Sequence, residues 1–157
     1  MSEQRIVHIE LDRKTLVSRS AEVEHERAAA IYDLLEENHF APIGDFNGPY
    51  HVHMRVEDAN RLVIDISDAQ DNALVVIAIS LMPFRRIIRD YFKICESYFD
   101  AIKRLSPSQI ETIDMARRGL HNEGSEFLIE RLKGKADMDK DTARRLFTLL
   151  CVLHFRG

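Results

Sequence analysis

The chain opens on a period-two pattern. From Arg5 to Leu11, Val7, Ile9 and Leu11 fall on one side and His8 and Glu10 on the other, which predicts a strand. The period then changes. Ser20 is a predicted N-cap for a helix running to about His39, with Val23, Ala30, Ile31, Leu34 and Leu35 inward and Glu22, Glu26, Asp33 and Glu37 outward. Two prolines and two glycines between Ala41 and Pro49 predict a loop.

Three strands are expected next. Tyr50, Val52, Met54 and Val56 alternate with His51, His53, Arg55 and Glu57, and Asp58-Ala59-Asn60 suits a hairpin turn into Arg61 to Ser67. Pairing Glu57 with Arg61 places His53 opposite Asp65 and His51 opposite Ser67. The run Ala73 to Leu81 is apolar on both faces, which predicts a central strand.

Helical spacing takes over at Pro83. Phe84, Ile87, Ile88, Tyr91, Phe92, Cys95, Tyr98, Phe99, Ile102 and Leu105 form one long apolar stripe, expected to be the core-forming helix. Ser106, Pro107 and Gln109 spell an N-cap, a first-turn proline and a box-closing glutamine for another helix. That helix directs Ile110, Ile113, Ala116 and Leu120 inward, and Asn122 to Ser125 leaves open whether it breaks or continues. Asp139 should cap a last helix whose end, Leu149 to Leu153, is apolar all round and therefore buried. The order β-α-β-β-β-α-α-α defines an α+β class: a small antiparallel sheet, made of a three-stranded meander plus the N-terminal strand. One helix precedes the meander and three to four follow it.

Composition narrows this picture to a single domain over residues 1–157. Hydrophobic residues make up 45% and charged residues 31% of 157, which excludes an intrinsically disordered chain. No apolar run approaches the roughly 20 residues of a membrane span. Glu3 and Glu10 stand where a secretion signal would need apolar residues, so a cytoplasmic location is expected. Cys95 and Cys151 lack CxxC spacing and sit among apolar neighbours, which predicts buried, unreactive thiols.

Charge is uneven. Residues 1–80 carry a net −8 and residues 81–157 a net +4, the pattern of two mutually complementary halves or of an anion-binding surface. Three arginine pairs populate the basic half: Arg85-Arg86, Arg117-Arg118 and Arg144-Arg145, one in each of three predicted helices. With His121 they are the candidate anion- or partner-binding residues, and the first expectation for them is that they edge the core and pair with internal acids. Asp114, Arg118 and His121 fall on neighbouring turns of one helix face. An Arg–His pair can cleave RNA without metal, but the gaps here do not match the Arg-x4-6-His pattern of the higher eukaryote and prokaryote nucleotide-binding superfamily. His51, His53 and Asp65 form a second candidate set, a polar strand face that two imidazoles and one carboxylate leave short of a metal site. No Gly-rich phosphate loop, GxSxG or HExxH occurs. No catalytic residue, metal or cofactor is assigned.

Two family likenesses bear on these candidates. Gly48-Pro49-Tyr50-His51 and Arg85-Arg86-Ile87-Ile88-Arg89 are similar to the loop and basic helix start of double-stranded RNA-binding domains, although here the loop precedes all three strands instead of following the first. The second likeness covers nearly the whole chain. Glu22-Val23-Glu24-His25-Glu26-Arg27, Pro83-Phe84-Arg85-Arg86-Ile87, Asp90-Tyr91-Phe92-Lys93-Ile94-Cys95, Arg117-Arg118-Gly119-Leu120-His121-Asn122-Glu123-Gly124 and the tail from Arg144 resemble Uncharacterised Protein Family 0262. The resemblance implies a bacterial, cytosolic, single-domain protein and supplies no activity. The expectation is a non-enzymatic regulatory or interaction module whose partner is another protein, with no membrane. The alternatives are an RNA-binding or RNA-processing protein and a small-molecule or metal-dependent enzyme.

Overall fold

A computed structural model describes residues 3–12 and 21–154. The elements in chain order are β1 (Ile6–Leu11), α1 (Ala21–Glu36), β2 (Phe40–Pro42), β3 (Tyr50–Glu57), β4 (Arg61–Asp68) and β5 (Ala73–Ser80). A 3₁₀ turn over Met82–Phe84 leads into α2 (Arg85–Arg104), and α3 (Pro107–Arg131), β6 (Ala136–Met138) and α4 (Lys140–His154) follow. The architecture is α+β, as expected. Ser20 lies outside the described residues.

One four-stranded sheet runs β1-β3-β4-β5, with β3–β4 and β4–β5 antiparallel and β1–β3 parallel. The expected hairpin register is present: Glu57 faces Arg61, His53 faces Asp65 and His51 faces Ser67. β5 is not central, however. Its inward side chains Ile77 and Ile79 reach the core, whereas Val76 and Ala78 face away from it, and β5 closes one side of the sheet. An apolar run on both faces therefore marks an uncovered edge here. The predicted loop over 41–49 also needs correction, because Phe40–Pro42 pairs antiparallel with Ala136–Met138 in a second, two-stranded sheet.

Residue chemistry explains the helix ends. α1 stops at Glu36, short of His39, because Asn38 turns its amide onto β1. Its Oδ1 accepts from Ile6 N (2.7 Å) while its Nδ2 donates to Ile6 O (2.9 Å) and Leu34 O (2.8 Å). α3 starts on the expected capping box at Ser106 and Gln109. It then continues through Asn122–Ser125 without a break. The Ser125 hydroxyl donates to the His121 carbonyl (2.7 Å) inside the helix. Gly124 serves a close approach: a Cβ there would sit 2.2 Å from Phe147 Cζ of α4. Asp139 caps α4 by accepting from Thr142 N (3.0 Å).

α4 is the buried element. Leu146 to Leu153 lie almost wholly inside, with α1 and α3 on either side and β3 above, and α2 packs beyond α3. The α2 stripe is thus core only at its start, where Phe84, Ile87, Ile88, Tyr91 and Cys95 are buried. Further along, α2 has α3 as its neighbour and no sheet beneath it. Phe92 and Phe99 are half-buried there and Ile102 is exposed.

Candidate functional site

The helices cover one face of the four-stranded sheet, so alternation places the polar residues of its strands on the other. There His8 and Glu10 of β1 stand beside His51 and His53 of β3, which stand beside Ser67 and Asp65 of β4. This outer face is concave, enclosing about 610 Å³ between His8, His51, His53, Asp65, Asp71 and Val76.

Each histidine there has its own carboxylate. His51 Nδ1 lies 2.9 Å from Asp71 Oδ1, His53 Nδ1 3.4 Å from Asp65 Oδ2, and His8 Nε2 3.2 Å from Glu10 Oε1. The His8 and His51 rings stand 5.2 Å apart at 57°. Arg55 donates from Nε to Asp65 (3.1 Å) and from a terminal nitrogen to Glu57, which also accepts from Arg61 (2.9 Å). Those arginines hold the Glu57 carboxyl below the usual range, Arg55 first. The sequence candidates His51, His53 and Asp65 do share one surface, with His8 and Asp71 added to them. Among the described residues no three His, Cys, Asp or Glu side chains converge on one ion position. Nor does a hydrogen bond join Ser67 to His51, although the register sets them opposite, so base and hydroxyl are uncoupled.

None of the arginine candidates lines this face. Arg85 donates to Asn60 (3.3 Å), and Arg86 sits between Asp90 (3.5 Å) and Glu123 (3.3 Å). Asp114 receives both Arg117 (2.6 Å) and Arg118 (3.1 Å). Arg117 also covers the Tyr98 ring at 4.6 Å and approaches Glu26 of α1 at 4.0 Å, while Arg145 reaches Asp33 at 3.8 Å. These last two contacts join the basic and acidic halves. Arg144 contributes its carbonyl, which accepts from Thr148 (3.2 Å).

His121 turns inward, away from Asp114 and Arg118. The Thr148 hydroxyl stands 2.7 Å from His121 Nε2 and 3.2 Å from that Arg144 carbonyl. The other ring nitrogen, Nδ1, is buried without a hydrogen-bond partner. Burial first, then Arg144, Arg117 and Arg145, push the His121 pKa down to about 4. A neutral imidazole locked against Thr148 and edged by the Tyr91 and Phe147 rings is a core residue. The two thiols are equally inert: burial raises Cys95 to about 11 and drives buried Cys151 up as well.

The feature that sequence reasoning missed is the free side of β5. Leu81 N donates to Asn60 O (2.8 Å), which fixes the alternation of the β4–β5 ladder. Val75, Ile77 and Ile79 therefore turn their backbone groups to β4, and Val76, Ala78 and Ser80 turn theirs outward, while Leu74 is the extra residue at the register shift beside Ile66 and Ser67. No other element of the described residues hydrogen-bonds to that side. The strand, ALVVIAIS, carries no charge and no proline, and Val76 is 60% exposed. The signal in sequence was that same uncharged run, read for the wrong position.

The fold is α+β, with a four-stranded and a two-stranded sheet, and among its described residues no metal ligands converge. The chain belongs to the uncharacterised protein family UPF0262, whose family model matches residues 3–156. It is 62% identical to a UPF0262 protein of Paramagnetospirillum magneticum over 98% of both chains. Relatives in Ruegeria pomeroyi and Erythrobacter litoralis are 58% and 53% identical over the full length of both chains. No solved structure matches. No helix among the described residues is long and apolar enough to cross a membrane.

Proposed function

We propose that this is a non-enzymatic, cytoplasmic protein-interaction module that accepts a β-strand along the free side of β5. One observation carries the reading: an uncharged edge strand whose outward N–H and C=O groups meet no other described element. Such an edge is a template for strand pairing, and proteins that do not use it guard it with lysine, proline, a bulge or a covering element. The opposite edge has such a cover at its start, where the Asn38 amide bonds both backbone groups of Ile6 and Phe40 N donates to Gln4 O. β5 has a register shift only near its start, beside Ile66 and Ser67. Buried free thiols suit a reducing compartment.

Support for RNA binding is weaker. Arg86, Arg117, Arg118 and Arg145 are matched to internal carboxylates, and His121 is buried and neutral. The test is a photo-crosslinker installed at Ala78 in living cells, with Met115, exposed on α3, as the control position. Adducts at Ala78 that are absent at Met115 are expected. Equal or absent adducts at both would contradict strand acceptance.

A further inference from the structure

Resting on the strand-accepting role of β5, we infer that the strand it accepts is β5 of a second copy of this chain, in an antiparallel two-fold pair centred on Ala78. The chemistry of the edge supplies the argument. A two-fold axis sets each strand against itself, so any charge on the edge would meet its own kind. ALVVIAIS has none.

The outward alternation also closes on itself. Val76, Ala78 and Ser80 are the residues whose backbone groups face away from β4, Leu74 being the extra residue at the register shift. Centring the axis on Ala78 sets it opposite the partner's Ala78, and Val76 opposite the partner's Ser80. All three outward residues of each strand then exchange both bonds, about six N–H···O contacts in total. Centring on Ile77 would leave Ser80 of each strand unpaired. Paired residues share a face, so the exposed Val76 stands beside the partner's Ser80 while each Ile77 meets the partner's Ile79 on the core side.

The asymmetry of the sheet decides the stoichiometry. Two open edges would permit open-ended growth, whereas the β1 edge is occupied at its start by Asn38 and Phe40, so pairing is expected to stop at two copies. The product is a continuous sheet in which two histidine-lined concave faces lie on the same side. Edge pairing alone covers less than the roughly 1,200 Å² at which stable interfaces begin, so reversible dissociation in the micromolar range is expected.

Sedimentation equilibrium of the purified full chain up to roughly 0.5 mM tests this. The expected result is a reversible monomer–dimer equilibrium that Ala78→Lys weakens at least tenfold without changing the circular dichroism or the unfolding midpoint. A second variant fixes the register independently. Ala78→Cys, oxidised at high concentration, should give disulfide-linked dimers, whereas Val76→Cys should not. A strictly monomeric parent, or a dimer indifferent to Ala78→Lys, would overturn self-pairing. Crosslinking at Ala78 to a different protein would overturn it too while leaving strand acceptance standing, and loss of all Ala78-specific adducts would remove both.

Discussion

Gly124→Ala separates two meanings of a glycine inside a helix. If Gly124 were only a weak helix residue, alanine would stabilise α3 by about 1 kcal/mol through backbone entropy. The packing predicts the opposite sign. The new methyl carbon would lie 2.2, 2.4 and 2.6 Å from three atoms of the Phe147 ring, against about 3.5–4.0 Å for an unstrained carbon contact. Phe147 cannot swing away, because it is fully buried with the His121 ring 5.4 Å and the Tyr91 ring 6.0 Å from its centre. α3 and α4 must move apart or the ring must leave its rotamer. Overpacking of this kind costs about 1–3 kcal/mol and the severity here favours the upper end, so after the propensity gain a net loss of about 2 kcal/mol remains. For a chain of this length that corresponds to a fall of roughly 4–8 °C in Tm. Urea unfolding followed by circular dichroism measures it. Adding Phe147→Leu should return part of the loss relative to Phe147→Leu alone, a coupling of about 1 kcal/mol. A Gly124→Ala protein as stable as the parent, or more stable, would refute the close α3–α4 contact.

Further outcomes follow from the same packing. Phe84→Ala should cost about 3–5 kcal/mol because Phe84 is wholly buried, and Phe92→Ala clearly less because Phe92 is half-buried; comparing their urea midpoints checks the gradient along α2. His121, held near 4 when folded against 6.5 as its ordinary value, leaves the unfolded chain binding more protons between those pH values. Its contribution therefore falls by about 3 kcal/mol as pH drops from about 6.5 to about 4, and His121→Gln should flatten that part of the stability–pH curve. Asn38→Leu should lose about 2 kcal/mol, since it strips partners from both backbone groups of Ile6, and should add oligomers larger than two copies on a sizing column as a second edge opens.

Much of the fold is written locally. β3 and β4 are legible because strict alternation and a short polar turn fix both face and register, which is why His53 meets Asp65 as expected. The Ser106 box and the Asp139 cap are equally local, each needing three or four consecutive residues. What escapes the sequence depends on distant partners. The three-residue strands at Phe40 and Ala136 exist through each other across almost a hundred residues, and neither has a pattern of its own. Parallel pairing of β1 with β3 is set by α1 carrying the chain back across the helical face. Asn38 looks like a loop residue until β1 lies beside it, and Gly124 looks like a helix breaker until Phe147 fills the space its missing Cβ leaves. The arginines read as one basic set. Apart from Asp90, one turn from Arg86 on α2, their carboxylates Glu26 and Asp33 on α1 and Glu123 on α3 become visible only when the helices are packed. For β5 the composition was read correctly and the position was not: valine and alanine on an outward face fit a covered strand and an edge awaiting one equally well.

Amide hydrogen exchange along β5 tests the central claim most directly, because it reads the outward and inward N–H groups separately. Ile77 and Ile79, bonded to β4, should be protected at every protein concentration. Val76 and Ala78 should be protected in concentrated solution and lose that protection on dilution or in the Ala78→Lys variant, the Val76 amide serving as the reporter there. Val76 and Ala78 amides that exchange freely at the highest concentration would contradict the account, as would protection that neither dilution nor the lysine removes.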